Sequence, residues 1–183
     1  GNDFELTKVF SQSYPDSIGL WYSAMTQRIG LKPNEDEYIL MGMAAYGDPH
    51  RFFKDIFDDL IQVEGVGSNP SVKLRVNLHN GCKWWKPELQ SQQDYYDIAA
   101  ATQWVYEYLL RNIICWTKRN FSSENLVLMG GCALNCSANS WLFKQYDNVW
   151  IMPNPGDAGS AIGAVLADKQ HHMSWDTSYL GYN

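Results

Sequence analysis

The sequence predicts an α/β fold with a partly parallel sheet, and three observations support this prediction. Two consecutive segments, starting at residues 125 and 148, each contain a short apolar strand, a glycine-bearing turn and a helix. Strands that alternate with helices are typical of α/β layers. The third observation is size, because 183 residues with 45% hydrophobic and 19% charged residues suffice for one core but not two. We therefore predict a single domain over residues 1–183.

The first half of the chain predicts one strand followed by three helices. Residues 4–10 alternate well enough for a strand. A Tyr-Pro-Asp-Ser turn at 14–17 marks a helix start, and apolar residues then recur at helical spacing until Gly30, which suits a C-terminal cap. A short helix is predicted around 37–45. The next is opened by Asp48, a good N-cap, with Pro49 in its first turn.

The second half begins with an irregular stretch and ends in the tandem of strands and helices. Within the predicted loop 64–92, only residues 72–76 favour a strand, and the paired Trp84 and Trp85 either anchor the loop or stack on a substrate ring. A long helix is predicted from about Gln93 to Arg119. The tandem then comprises a buried strand at 125–129, a helix running to about 143, a second strand at 148–152 and a helix starting at Asp157.

Composition excludes several classes of protein. The net charge of −6 offers no basic field, so we expect no nucleic-acid partner. No apolar run approaches the roughly 18 residues of a membrane span and no signal-peptide pattern is present, so we expect no membrane association. The four cysteines fit neither a disulfide scaffold nor a zinc site. We expect them to be small buried residues in a reducing cytoplasm.

The two glycine-bearing turns are the candidate ligand site. Ligands of open α/β sheets gather at the carboxyl ends of the strands, and helix N-termini attract anions. Gly130 and Gly131 lack a Cβ, so a phosphate or ribose can approach the backbone closely. The amide of Asn135, in the following helix, suits a ribose hydroxyl or an adenine edge. The alternative is a tight turn that only packs the helix on the sheet.

The second turn adds a carboxylate, Asp157. As a functional residue, Asp157 is a hard oxygen ligand for a divalent metal. As a structural residue, it is the N-cap of its helix, which contributes on the order of 1 kcal/mol. The small residues that follow, from Ala158 to Ala164, allow close approach of backbone in either case.

Four blocks of the sequence resemble the nodulation- and antibiotic-type O-carbamoyltransferases. Residues 130–139 are similar to their GGxALNCxAN signature and residues 156–164 to their GDAGxALGA signature. The segments 16–26 with 36–47 resemble their SLGxLYxxxT and EYKVMGLAxYG blocks, and 97–107 resembles their DIAxxxQxxxE helix. The blocks follow the family order over nearly the whole chain, which is far more specific than any single motif.

The resemblance implies the second lobe of a main domain with the sugar kinase/actin/heat-shock ATPase fold, related to the tRNA threonylcarbamoyl-adenosine synthases. In this family, a separate domain forms carbamoyl-adenylate from ATP and carbamoyl phosphate. The main domain then transfers the carbamoyl group to the hydroxyl of a small-molecule acceptor, with a bound divalent metal that is expected to be iron. By the same resemblance, Gly130, Gly131 and Asn135 hold the adenylate, Gly19 lies near the ribose, and Asp157 is a metal ligand.

The chain also departs from the family pattern. The family's HxxxH histidine pair is absent, since His171 and His172 are adjacent. Ile39 replaces a usual lysine, Leu20 replaces the synthases' glutamate, and Tyr182 replaces the proline of a YLGP motif. The phosphate loop expected before residue 1 and the adenylate-forming domain expected after residue 183 are missing, and the leading glycine suggests a piece of a longer protein.

We therefore predict that the chain alone is inactive and needs the first lobe and the adenylate-forming domain as partners. Two other interpretations stay open at the level of sequence. One is a stand-alone, non-catalytic lobe that binds a nucleotide or a partner protein and forms a homodimer. The other is a kinase or ATPase of the same superfold, which requires an acidic metal-binding loop that the sequence does not supply.

Overall fold

A computed structural model of the chain describes residues 6–65 and 70–170. The fold is mixed α/β, as the sequence predicts. The chain divides into a larger unit, Gln12–Ser123, and a smaller unit formed by Gly1–Ser11 with Glu124–Asn183. Predictions that involve residues 66–69, the two adjacent histidines and the YLG segment at 179–181 lie outside the described residues. No helix in the described ranges is both long and apolar enough to cross a membrane.

In its described residues, the larger unit contains four α-helices and a small antiparallel sheet. The helices and strands are α1 (Ile18–Arg28), α2 (Glu37–Met43), α3 (Phe53–Asp59), β1 (Ile61–Glu64), β2 (Ser71–Leu74) and α4 (Gln92–Asn120). Two 3₁₀ turns, Ala44–Tyr46 and Pro49–Arg51, join α2 to α3. The strands pair in antiparallel register from Ile61 opposite Leu74 to Glu64 opposite Ser71. The sequence predicted β2 but not β1.

Local capping chemistry explains where these helices begin and end. The Ser17 hydroxyl accepts the Leu20 N–H at 3.2 Å and caps α1, while Gly30 adopts φ = +83°, which suits a glycine after a helix. At the start of α4, Ser91 and Asp94 form a reciprocal capping box. The side chain of each residue accepts the backbone N–H of the other, which fixes the first turn of α4. The predicted start, Gln93, is one residue from the observed start, Gln92.

Helix α4 organises the core of the larger unit. Its apolar face packs with α1, α2 and α3, and the residues below 3% exposure include Trp21, Met25, Leu40, Ile56, Leu60, Ile98, Val105 and Leu109.

One of the two paired tryptophans anchors the loop 64–92 on the core, as predicted. Trp85 is buried, and its indole N–H donates to Asp59 at 2.8 Å, whereas Trp84 is 55% exposed. The buried guanidinium of Arg28 donates to the carbonyls of Trp85, Lys86 and Leu89.

An ion cluster fastens the segment 47–51 to the start of α4. Arg51 pairs with Asp94 at 2.7 Å and with Asp97 at 2.9 Å. Burial would raise the pKa of Asp97, but hydrogen bonds from the Asp48 N–H, Arg51 and Gln93, with the charge of Arg51, outweigh it and lower the pKa. The Ser91 hydroxyl first, and then Arg51, lower the pKa of Asp94 despite its burial. Both carboxylates therefore stay charged in the folded protein.

The smaller unit contains a two-stranded parallel sheet, β3 (Asn125–Leu128) and β4 (Asn148–Ile151), which pair residue by residue from Asn125 opposite Asn148. The parallel pairing confirms the tandem arrangement that the sequence predicts. Short helices follow each strand: a 3₁₀ turn Gly131–Leu134, α5 (Cys136–Asn139), a 3₁₀ turn Leu142–Lys144, a 3₁₀ turn Asp157–Gly159 and α6 (Ser160–Lys169).

Four predictions about the smaller unit and the cysteines are wrong. Residues 6–10 form no strand and are exposed, because no described strand pairs with them. Strand β3 is half-exposed rather than buried, with Val127 at 60% exposure, since the described sheet has only two strands; its partner β4 is half-exposed too, with Trp150 at 51%. The helix predicted to reach residue 143 is broken. Three of the four cysteines, Cys115, Cys132 and Cys136, are exposed rather than buried.

Candidate functional site

The two predicted ligand loops lie side by side in the smaller unit. Because β3 and β4 are parallel, their carboxyl ends meet at one edge of the sheet, and each loop leaves from that edge. The Gly130 N–H donates to the carbonyl of Pro155 at 2.7 Å, which joins the first loop directly to the second. The loops that carry Gly130, Gly131, Asn135 and Asp157 therefore both follow the same edge of the sheet.

The glycines of these loops differ in what the backbone requires of them. Gly130 has φ = +90°, a conformation that side-chain-bearing residues rarely adopt. A Cβ built at Gly130, Gly131 or Gly156 meets no atom of residues 6–65 and 70–170 within 4 Å, so within this part of the chain open space lies beside all three. A Cβ at Gly159, by contrast, would lie 1.9 Å from the Asn154 carbonyl oxygen. Gly159 therefore serves tight packing, and the first three leave room for a ligand.

Asn135 has a structural role that the sequence did not show. Its side chain is buried, at 9% exposure, and its Oδ1 accepts the Ala138 N–H at 3.0 Å, which caps α5. Its backbone is not helical, at φ = −76° and ψ = 83°, so the 3₁₀ turn stops there and a new helix begins. Asparagine side chains compete with backbone hydrogen bonds in this way, which is why the predicted continuous helix breaks.

Asp157 is exposed and does not cap the helix that follows it. Gly156 occupies the N-cap position of the 3₁₀ turn, and no side-chain capping bond is made there, so the N-cap alternative is wrong. The carboxylate offers one hard oxygen ligand. Among the described residues, however, no group of three histidine, cysteine, aspartate or glutamate side chains is placed to hold a metal. These residues alone therefore do not build a metal centre.

Gly19 belongs to the larger unit, in the first turn of α1, where Ser17 caps the helix. The other four candidate residues belong to the smaller unit, so the structure groups four of the five predictions within one unit. Sequence reasoning did not single out Asn139, the last residue of α5. It is 4% exposed and donates to the Ala133 carbonyl at 2.7 Å. Its place as the last residue of the GGxALNCxAN match at 130–139 was the available signal.

The two cysteines near the site form no disulfide. Cys132, in the first loop, and Cys136, in α5, are exposed. In the larger unit, Cys82 is buried and its thiol donates to the Ala24 carbonyl at 3.1 Å, and burial raises the pKa of this thiol to about 12. Cys82 is thus an inert core thiol, as the sequence suggested for all four.

Comparison with known proteins gives one consistent result. Residues 2–166 match the family described as "Carbamoyltransferase N-terminus". An uncharacterized protein of Synechocystis sp. is 36% identical over 182 residues, covering 91% of this chain and 29% of its own length. Nodulation protein NolO of Bradyrhizobium diazoefficiens is 28% identical over 160 residues, which cover 84% of this chain and 29% of NolO. Nodulation protein NolNO of Sinorhizobium fredii is 28% identical over 172 residues, which cover 91% of this chain and 24% of NolNO. The chain thus spans less than a third of the length of each of these relatives.

Proposed function

The chain belongs to the carbamoyltransferase N-terminus family, and we propose that it is the second lobe of the main domain of an O-carbamoyltransferase. The lobe takes part in moving a carbamoyl group from carbamoyl-adenylate to the hydroxyl of a small-molecule acceptor. The observation that supports this role is the junction of the two signature loops at one sheet edge, through the Gly130 N–H and the Pro155 carbonyl. The sugar kinase/actin/heat-shock ATPase superfold is part of the same proposal.

In this proposal, the first loop receives the adenylate. Gly130 and Gly131 present backbone without side chains, and the space that a Cβ would fill is open. A phosphate or ribose can then lie against the main chain, where N–H groups are strong donors. Asn135 supports the loop through its Oδ1, which accepts the Ala138 N–H, and its side-chain amide is proposed as a polar contact to the nucleotide. For Gly19, only the family resemblance supports a contact with the ribose.

The chemistry of transfer defines what the rest of the protein supplies. The bond between the carbamoyl carbon and the phosphate oxygen breaks, the acceptor hydroxyl oxygen bonds to that carbon and loses its proton to solvent, and AMP leaves. This chain's share is to bind and orient the adenylate, so that the carbamoyl carbon lies in reach of the acceptor. The first lobe and the adenylate-forming domain are partners in the complete protein, and the acceptor binds with them.

Asp157 is proposed as one ligand of a divalent metal, expected to be iron. Its exposed carboxylate is free of helix capping, which suits a ligand that faces a bound ion. A bound metal supplies Lewis-acid polarisation of the carbamoyl carbonyl. Since the described residues contribute a single carboxylate at this edge, the remaining ligands come from outside them.

Calorimetric titration of the chain with AMP, ATP and a non-hydrolysable adenylate analogue tests the nucleotide contacts. Val at Gly131 fills the open space without requiring a left-handed backbone, so we expect Gly131→Val to weaken binding by about tenfold or more while the chain stays folded. Gly163→Ala is the matched control, because Gly163 lies in α6 with equally open surroundings. Binding that survives Gly131→Val places the nucleotide elsewhere, and no binding by the wild-type chain refutes this loop as a competent site.

A further inference from the structure

Asn139 is a buried polar residue in the smaller unit, and the proposed function gives it no role. It ends α5 and is only 4% exposed. Its side-chain Nδ2 donates to the Ala133 carbonyl at 2.7 Å, and its backbone N–H donates to the Asn135 carbonyl at 3.0 Å. Both bonds run from the helix back to the loop that carries the two glycines.

A reciprocal bond runs in the opposite direction. Asn135, at the end of the loop, accepts the Ala138 N–H through its Oδ1 at 3.0 Å. The loop side chain thus holds the helix, and the helix side chain holds the loop. Ala133, whose carbonyl receives the Asn139 amide, is itself buried within the 3₁₀ turn Gly131–Leu134. The bond therefore acts on the turn directly after the open glycines.

The second polar atom of Asn139 argues against a role in stability alone. Its Oδ1 is buried and accepts no hydrogen bond from any described residue. A buried acceptor without a partner costs free energy, because it loses its bond to water and gains nothing in return. An apolar residue of the same size avoids this cost. What Asn139 provides in its place is the Nδ2 donor to the Ala133 carbonyl in the loop.

We propose that Asn139 is a positioning residue for the nucleotide loop. It sets the backbone of residues 131–135 so that Gly130 and Gly131 present an ordered surface to the ligand. The inference rests on the proposed function for the identity of the ligand, but the contact itself is independent of it. Positioned backbone donors bind better than mobile ones because less conformational entropy is lost on binding.

The test compares Asn139→Leu with Leu142→Val in the same unit. Asn139→Leu keeps the approximate volume and removes the donor, whereas Leu142→Val trims a fully buried side chain that does not bond to the loop. Calorimetry measures the Kd for AMP and urea unfolding measures stability. We expect Asn139→Leu to weaken AMP binding by about tenfold or more, and Leu142→Val to lower the urea midpoint while the Kd stays within about twofold. Equal Kd values for wild type and Asn139→Leu overturn the proposal.

Two further measurements keep the outcome decisive. Asn139→Asp replaces the donor by a carboxylate, and its protonated form regains an O–H for the Ala133 carbonyl, so AMP affinity is expected to recover as the pH falls. Hydrogen exchange of the amides at 131–135 requires no ligand. Faster exchange at 131–135 in Asn139→Leu, but not in Leu142→Val, supports the positioning role of Asn139. A failure of the wild-type chain to bind AMP refutes only the proposed function and leaves this result standing. Unchanged exchange overturns the inference.

Discussion

The close approach of Gly159 to the Asn154 carbonyl makes a sharp prediction about the second loop. Gly159 has an ordinary helical backbone, at φ = −71° and ψ = −19°, so alanine is acceptable to the main chain itself. The added Cβ, however, would lie 1.9 Å from the Asn154 oxygen and 3.1 Å from its carbonyl carbon. The obstacle is backbone, which cannot rotate away as a side chain can.

The magnitude follows from how far the two groups must separate. Ordinary van der Waals contact begins at 3.4 Å, so the loop has to move by about 1.5 Å relative to the helix. Overpacking of this kind destabilises proteins by about 1–3 kcal/mol. We therefore expect Gly159→Ala to lower the free energy of unfolding by that amount and to loosen the turn that carries Asp157.

The control is Gly163→Ala, one turn further along α6. A Cβ at Gly163 meets nothing within 4 Å, and alanine in an open helical position stabilises a protein by about 0.4–1 kcal/mol. Urea unfolding gives the two free energies, and hydrogen exchange over residues 153–170 locates the effect. The two substitutions are expected to have opposite signs. If Gly159→Ala is as stable as Gly163→Ala, the packing of the second loop against the start of α6 is wrong.

Two predictions concern the larger unit. Arg51 helps to lower the pKa of both α4 aspartates, so their stabilisation is present above their unfolded pKa of about 3.9 and is lost as the pH falls through the folded pKa. Arg51→Gln should therefore shift the acid-unfolding midpoint, followed by circular dichroism, to higher pH, and an unchanged midpoint would contradict this ion cluster. Trp85→Phe removes the 2.8 Å bond to Asp59 and should cost about 1–2 kcal/mol in urea unfolding, whereas Trp84→Phe should change stability by less than about 0.5 kcal/mol.

The parts of the fold that sequence predicts well are those with local causes. Ser17 and Gly30 bound α1, and Ser91 with Asp94 starts α4, through contacts no more than four residues apart. The edge of the sheet where the two loops meet is also predictable, because it follows from parallel pairing of two consecutive strands. Both kinds of inference need only the order of residues and the handedness of the chain.

The parts that it predicts poorly depend on tertiary partners. Strand β1 is only four residues long and exists through pairing with β2, which begins seven residues after β1 ends. The apolar run of β3 suggested burial on both faces, yet burial depends on layers that a strand's own residues do not specify. The helix predicted to reach residue 143 is interrupted at Asn135 because the Oδ1 of this residue accepts the Ala138 N–H instead of a bond from solvent. Local patterns cannot decide between these competing bonds.

The glycines of the two loops show how the structure distinguishes glycines that the fold requires from glycines that only leave space for a ligand. Gly130 is required by its left-handed backbone and Gly159 by its neighbour's carbonyl, so neither is evidence for a ligand. Gly131 and Gly156 have neither constraint, because their φ angles are negative or extended and their surroundings are open. Openness alone is insufficient, since exposed Gly163 shares it within a regular helix.

What distinguishes Gly131 and Gly156 is their position, directly after the carboxyl ends of two adjacent parallel strands. A side chain at either position costs the fold little, and glycine there carries a conformational entropy cost in the unfolded chain. A ligand that approaches the main chain at this edge accounts for both residues at once. Packing among the residues that the structure describes accounts for neither, and for this reason the nucleotide proposal depends more on Gly131 than on Gly130.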